Sequence, residues 1–185
     1  TNRVSEDSIV GKKEEHEFAA LSLAKTKQVS DLVKWAEDRP IWISWKLDGL
    51  TLVVTYDGGK LTKIVTRGNG HIGTNITHLA PAISGIPATI SEKGHLVVRG
   101  EAVISYADFE QFIIESEGDY ANPRNLASGS LTLKDIDEVK QRHIQWIPFT
   151  LVYTERELTS WGERIQMLKD LGMNPVERER IDHPT

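Results

Sequence analysis

Two runs rich in Val, Thr and Ile, Leu50 to Tyr56 and Lys60 to Thr66, are joined only by Asp57-Gly58-Gly59. Adjacent glycines accept the positive φ that a tight two-strand turn demands, so this stretch must fold back on itself as an antiparallel hairpin. The remaining segments have to be arranged around it. Ile41 to Trp45, Leu96 to Ile104 and Gln145 to Tyr153 read as further strands. A first helix is expected from Asp31 to Asp38, capped by Ser30, with Leu32, Trp35 and Ala36 on one face and Pro40 just past its end. Ser105-x-x-Asp108 opens a second in capping-box fashion, with Phe109, Phe112 and Ile113 on one face and Gly118 at its end. A third is expected to be capped by Thr159, to carry Trp161, Ile165 and Leu168, and to stop at Gly172 and Pro175.

Strands therefore come as hairpins separated by lone helices, without regular βαβ alternation. That pattern predicts an α+β fold of mainly antiparallel sheets flanked by helices. No strand is legible beyond the last helix, so the fold is expected to be incomplete at its C-terminus. Residues 1–15 are polar and read as a lead-in, and 16–185 as the folded part.

Composition removes several classes. With no cysteine there is no disulfide scaffold, thiolate zinc site or cysteine nucleophile. No apolar run approaches the roughly 20 residues that span a bilayer, so no membrane partner is expected, and a cytoplasmic monomer is the simplest expectation. Lys and Arg number 22 against 27 Asp and Glu, a net charge of −5. That argues against a wholly basic surface but leaves room for a local basic groove. The six histidines have no H-x-x-x-H spacing, and no metal held by side chains is expected.

Four short stretches could carry chemistry. In Lys46-Leu47-Asp48-Gly49 the lysine is a nucleophile once its amine is neutral. An ordinary pKa of about 10.4 means that burial or nearby cations must lower it; an isolated K-x-D-G is more simply a surface lysine beside a turn. Arg67-Gly68-Asn69-Gly70-His71-Ile72-Gly73 contains G-x-G-x-x-G after a strand, with Glu92 about 20 residues on, as in dinucleotide-binding folds. The fingerprint also needs a helix, and Pro81, Gly85 and Pro87 deny one. The match is read as a decoy, although the loop suits close approach to a phosphate or ribose. Arg99-Gly100-Glu101 interrupts an apolar strand with charge, which taken alone reads as solvent-facing. Asn122-Pro123-Arg124-Asn125, with Gly129-Ser130-Leu131, reads as a turn into a short helix, Arg124 offering a planar fork for phosphate or carboxylate.

Taken in order, His16-Glu17-Phe18-Ala19-Ala20-Leu21-Ser22-Leu23, Lys46-Leu47-Asp48-Gly49, Arg67-Gly68-Asn69-Gly70, Val98-Arg99-Gly100-Glu101 and Asn122-Pro123-Arg124-Asn125 resemble the adenylation domain of bacterial NAD-dependent DNA ligases. The resemblance implies a nucleotidyltransferase (ATP-grasp-like) fold, with NAD and magnesium as cofactors. By it, Lys46 attacks the AMP phosphate of NAD and Asp48 helps organise it. Arg67 and Glu101 hold the nucleotide, Glu101 near the ribose hydroxyls, while Ser22 and Leu23 line its pocket. Arg124 faces phosphate or DNA, and the partner is nicked double-stranded DNA, met by the full-length protein.

The chain departs from the family at four places. Ser44 occupies the position of a glutamate that contacts adenine, and Asn69 that of the aspartate in R-G-D-G. Thr74-Asn75 stand where an acidic pair is usual, and Thr132 where an arginine follows Gly-Ser-Leu. The later family motifs are absent before Thr185, so the segment alone is expected to be inactive. The alternative is a non-catalytic nucleotide- or nucleic-acid-binding module on the same fold.

Overall fold

The computed structural model describes residues 11–21, 28–37, 39, 41–44, 47–116, 118–176 and 178–182. One side of its main sheet is the hairpin, β3 (Leu50–Asp57) and β4 (Lys60–Thr66). Gly58 and Gly59 have φ of 59° and 79°, the positive values that let a two-residue turn follow the strand twist. Three more strands, β6 (Ile83–Ser84), β7 (Leu96–Val103) and β8 (Ile144–Thr154), complete a five-stranded sheet of order β4-β3-β7-β8-β6. Only the β6–β8 pair is parallel. Two ribbons lie outside this sheet: β1 (Lys13–Glu15) with β5 (Ile72–Thr74), and β2 (Ile41–Ser44) with β9 (Arg178–Ile181). The helices are α1 (Val29–Ala36), α2 (Tyr106–Ser116), α3 (Pro123–Ser130), α4 (Ile136–Lys140) and α5 (Trp161–Asp170), with a 3₁₀ segment at Thr77–Ala82. The architecture is α+β, as the segment pattern requires.

Alternation along the strands divides the sheet into two unlike faces. Leu52, Val54, Tyr56, Ile64, Leu96, Val98 and Ala102 point to one side and are buried with Leu126, Ala127, Val139, Met167 and Leu168 from the helices. Trp146 and Leu151 of β8 join them. Gly100 lies directly beneath Trp146, where a Cβ would run into the indole ring; the glycine of R-G-E makes room for that ring. The other face carries Thr51, Val53, Thr55, Val97, Arg99 and Glu101. Its cover is thin: Ala20 and Phe18 pack on Val53 and Val97.

Four expectations change. α1 begins at Val29, so Ser30 lies inside it, and its N-cap, Gln28, makes no side-chain cap bond. Trp35 is 68% exposed while Ala36 is buried, so the two do not share a buried face. Asp38 and Pro40 lie outside the described residues. α5 is capped by Ser160, not Thr159, in a capping box with Glu163; Thr159 instead donates to the Glu163 carboxylate. A strand does follow the last helix: β9 pairs antiparallel with β2, Ile41 opposite Ile181. Its sequence, Arg-Glu-Arg-Ile, has no apolar run to announce it, and its extended form comes from the edge that β2 offers.

The stretch read as a lead-in contributes β1. Glu14 receives hydrogen bonds from Lys63 Nζ (2.9 Å) and Asn75 Nδ2 (2.8 Å), tying β1 to β4 and the end of β5. Burial works against ionisation of Glu14, but Lys63 and Asn75 outweigh it and hold the carboxyl below its ordinary range. Among the described residues, no helix is long and apolar enough to cross a membrane.

Candidate functional site

The thinly covered face gathers polar groups from separate parts of the chain. Glu101 on β7 lies opposite Thr51 on β3, and the Arg67 N–H donates to the Thr51 carbonyl at 3.0 Å. One row thus holds Glu101 of β7, Thr51 of β3 and Arg67, just past the end of β4. The Thr51 hydroxyl donates to Glu101 Oε1 at 2.7 Å, and the Gly49 N–H donates to the same carboxylate. Burial raises the Glu101 pKa above the ordinary carboxylate value, against the pull of Thr51, Gly49 and the positive charge of Arg124; the negative charge of Asp48 adds to the rise. Gly49 is seated against β7 so closely that a Cβ would strike the Ala102 carbonyl oxygen. The glycine of K-L-D-G is therefore a packing requirement, and it seats its own backbone beside Glu101.

Arg124 arrives on the first turn of α3. Asn122 caps that helix by accepting the Asn125 N–H at 2.9 Å, and Pro123 opens it with φ already set. Arg124 Nη1 lies 3.7 Å from Asp48 Oδ1. Both side chains are mostly exposed, so the pair is weak by itself and keeps the guanidinium on hand for another anion.

The glycine loop closes through Asn69. Its Oδ1 accepts the N–H groups of His71 (2.9 Å) and Ile72 (2.8 Å), while Gly68 and Gly70 take φ of 58° and 93°. A side-chain carbonyl does this as well as a carboxylate, so Asn69 preserves the loop without the family's charge. No α-helix follows the loop; β5 and the 3₁₀ segment do, and Glu92 is ion-paired with Arg156 at 2.6 Å. The dinucleotide fingerprint is indeed a decoy. Thr74 accepts from Lys13 at 3.0 Å, and buried Asn75 bonds Glu14 and Thr77. Those two positions serve the β1–β5 ribbon, where their side chains take their partners. Thr132 donates to the Gly129 carbonyl at 2.7 Å, at the end of α3.

The segment His16 to Ala20 is laid along the loop. His16 N–H donates to the His71 carbonyl (2.6 Å) and Ala20 N–H to that of Gly70 (2.7 Å). His16 Nε2 bonds the Arg67 carbonyl at 3.0 Å, and Arg67 Nε donates to the Ala20 carbonyl at 2.8 Å. His95 clamps the segment from the other side, between Asp57 Oδ1 (2.6 Å) and Glu17 Oε2 (2.8 Å), while Phe18 stacks on Tyr153 at 5.2 Å. The Asp57 bond, then the Glu17 bond, outweigh partial burial and raise the His95 pKa. A raised folded pKa means the clamp contributes fully below the unfolded value of about 6.5 and fades as pH climbs through the folded one. The difference in urea midpoint between the wild type and His95→Gln should therefore be largest at pH 5–6 and shrink above neutrality. A gap that is constant with pH would refute the charged clamp.

Of the residues singled out in the sequence, Asp48, Arg67, Glu101 and Arg124 lie in or beside the row. Lys46, Ser22 and Leu23 lie outside the described residues; Ser44 is placed in β2, its backbone opposite Arg178. One residue was missed: Thr51 bonds Glu101 directly, but only cross-strand register reveals it. Arg99, whose stretch taken alone read as solvent-facing, is half-buried on the face of Glu101, as its spacing of two along one strand allows.

The family model of the NAD-dependent DNA ligase adenylation domain matches residues 12–182. A DNA ligase of Lachnoclostridium phytofermentans is 41% identical over 174 residues, covering 91% of this chain and 27% of that protein. A DNA ligase of Leptospira biflexa is 43% identical over 134 residues, 70% of this chain and 20% of its own length. One from Campylobacter hominis is 32% identical over 182 residues, 93% of this chain and 28% of that one. The chain thus spans about a quarter of the length of the curated relatives it matches. With the family model matched over nearly the whole sequence, this chain belongs to the NAD-dependent DNA ligase adenylation domain family.

Proposed function

We propose that this chain is the nucleotidyl-transfer part of an NAD-dependent DNA ligase, with Lys46 as its nucleophile. One observation carries the reading. Gly49 donates its N–H to Glu101 and Asp48 pairs with Arg124, so the residues that follow Lys46 in the K-L-D-G motif lie among groups suited to a nucleotide. In the first step the Lys46 amine loses its proton and bonds to the AMP phosphorus. The bond to nicotinamide mononucleotide breaks, and that group leaves with the electron pair. An oxygen of the 5′-phosphate at a nick in double-stranded DNA then displaces lysine from the AMP, and the 3′-hydroxyl finally displaces AMP to join the strand.

The chain's own residues would do the positioning. Glu101, held by Thr51, accepts from ribose hydroxyls, and Asp48 orients the amine. Arg67 and Arg124 supply positive charge that disfavours a protonated neighbour and stabilises developing charge on phosphate oxygens. Ser22, Leu23 and Ser44 complete the pocket. Among the described residues no three acidic or histidine side chains converge on a metal site. Magnesium would therefore enter with the substrate phosphates, beside Asp48 and Glu101, and supply neutralisation of their charge.

Incubating the intact protein with NAD and magnesium should add the mass of one AMP, and the adenylated protein should seal nicked duplex DNA. ATP in place of NAD should add none. An intact protein that takes up no AMP from NAD sinks the proposal.

A further inference from the structure

Arg99 stands in a row of the site face that holds no other charge, with Thr150 of β8 on one side of it. Val53 of β3 is opposite it, Val65 of β4 is opposite Val53, and Val97 precedes it by two on its own strand. The side chain is half-buried, and its Nε is shut away from solvent with no hydrogen-bond partner among the described residues. The chain has 27 acidic residues, yet none of those described forms an ion pair with it. Glu101, two positions on, is satisfied by Thr51 and Gly49. Burial pushes the Arg99 pKa down, and the charge of Arg67 pushes it further. A second cation set beside a first, half out of water and without a counter-charge, is unfavourable for the protein alone. It becomes favourable when an anion arrives between the two.

We infer that Arg99 is an anion-binding residue that, with Arg67, takes a phosphate group of the bound nucleotide. The inference rests on the nucleotide-binding reading above, because Arg99 shares a sheet face with Glu101 and Arg67. The planar guanidinium fork matches two phosphate oxygens, which a lysine ammonium matches less well. Arg99 is a positioning residue in this assignment: it holds the phosphate and transfers nothing.

The test uses the intact protein and two variants, Arg99→Met and Arg99→Lys. Affinities for NAD, AMP and adenosine are measured by calorimetry, affinity for nicked duplex DNA by anisotropy, and ligand-free melting by scanning calorimetry. Arg99→Met should bind NAD and AMP about tenfold or more weakly, with adenosine unchanged and Arg99→Lys in between. Ligand-free Arg99→Met should melt at or above the wild-type temperature, since it removes a repelled, unpaired cation. That combination separates ligand binding from a structural role.

Unchanged NAD affinity in Arg99→Met overturns the inference, as does an equal loss for adenosine or a loss confined to nicked DNA. A ligand-free melting temperature that falls in both variants also overturns it, because the guanidinium would then have its partner inside the protein. A wild-type protein that binds neither NAD nor AMP takes down the functional reading and this one together. A wild type that binds, beside a Met variant that binds equally, takes down this one alone.

Discussion

Replacing Lys46 with alanine is expected to reduce AMP uptake from NAD to background, a fall of at least about a thousandfold. The reason is the absence of a substitute. The chain has no cysteine, and a serine or threonine hydroxyl is a weak nucleophile at its ordinary pKa, whereas an amine freed of its proton attacks directly. Lys46→Arg should fail almost as completely, because a guanidinium does not shed its proton at any working pH. Binding of NAD should survive both changes better than transfer does, since the lysine's contribution is the covalent step. The measurement is intact-mass spectrometry after incubation with NAD and magnesium. A Lys46→Ala protein that gains AMP at the wild-type rate would show that another residue is the nucleophile.

Trp146→Ala is expected to cost about 3–5 kcal/mol of folding stability. Trp146 is 1% exposed and sits mid-sheet on β8, its indole over Gly100. The cost should fall at the upper end for two reasons. Gly100 has no side chain to move into the vacated space, and the surrounding strand backbones are held in register by β3 and β8. The buried indole Nε1 has no hydrogen-bond partner among the described residues, so the loss is one of packing and not of polar pairing. Against a total of roughly 5–15 kcal/mol for an ordinary domain, this leaves a marginal protein. Urea unfolding should show a large fall in midpoint; an unmoved midpoint would contradict the core described here.

The legible parts of the fold were those whose cause is local. The hairpin followed from two glycines that accept positive φ between β-branched runs, and its turn came out where those residues stand. The capping of α3 by Asn122 and the boundary near Gly172 are likewise settled within a few residues of the backbone groups concerned. Where two neighbouring hydroxyls compete, as at Thr159 and Ser160, local reasoning locates the helix start only to within one residue. α1 missed by more, because its first turn has no side-chain cap to mark it.

The candidate site divides in the same way. Motif order named Asp48, Arg67, Glu101 and Arg124, but nothing local said whether the charges of Arg99-Gly100-Glu101 meet water or one another. Cross-strand register decided that by setting Thr51 opposite Glu101 and leaving Arg99 between Val53 and Thr150, with no acidic group in its row. β9 is extended because β2 supplies an edge for it, and Thr74 and Asn75 serve a ribbon joint because Glu14 and Lys13 reach them across about sixty residues of chain. By itself the sequence determined the turns, the caps and the roster of groups able to do chemistry, since backbone preference and side-chain chemistry act over one or two turns of chain. Which of those groups share a face, which are paired and which are left charged and unpartnered was decided only by tertiary structure, because desolvation and Coulomb interaction depend on distances in space that no spacing along the chain encodes.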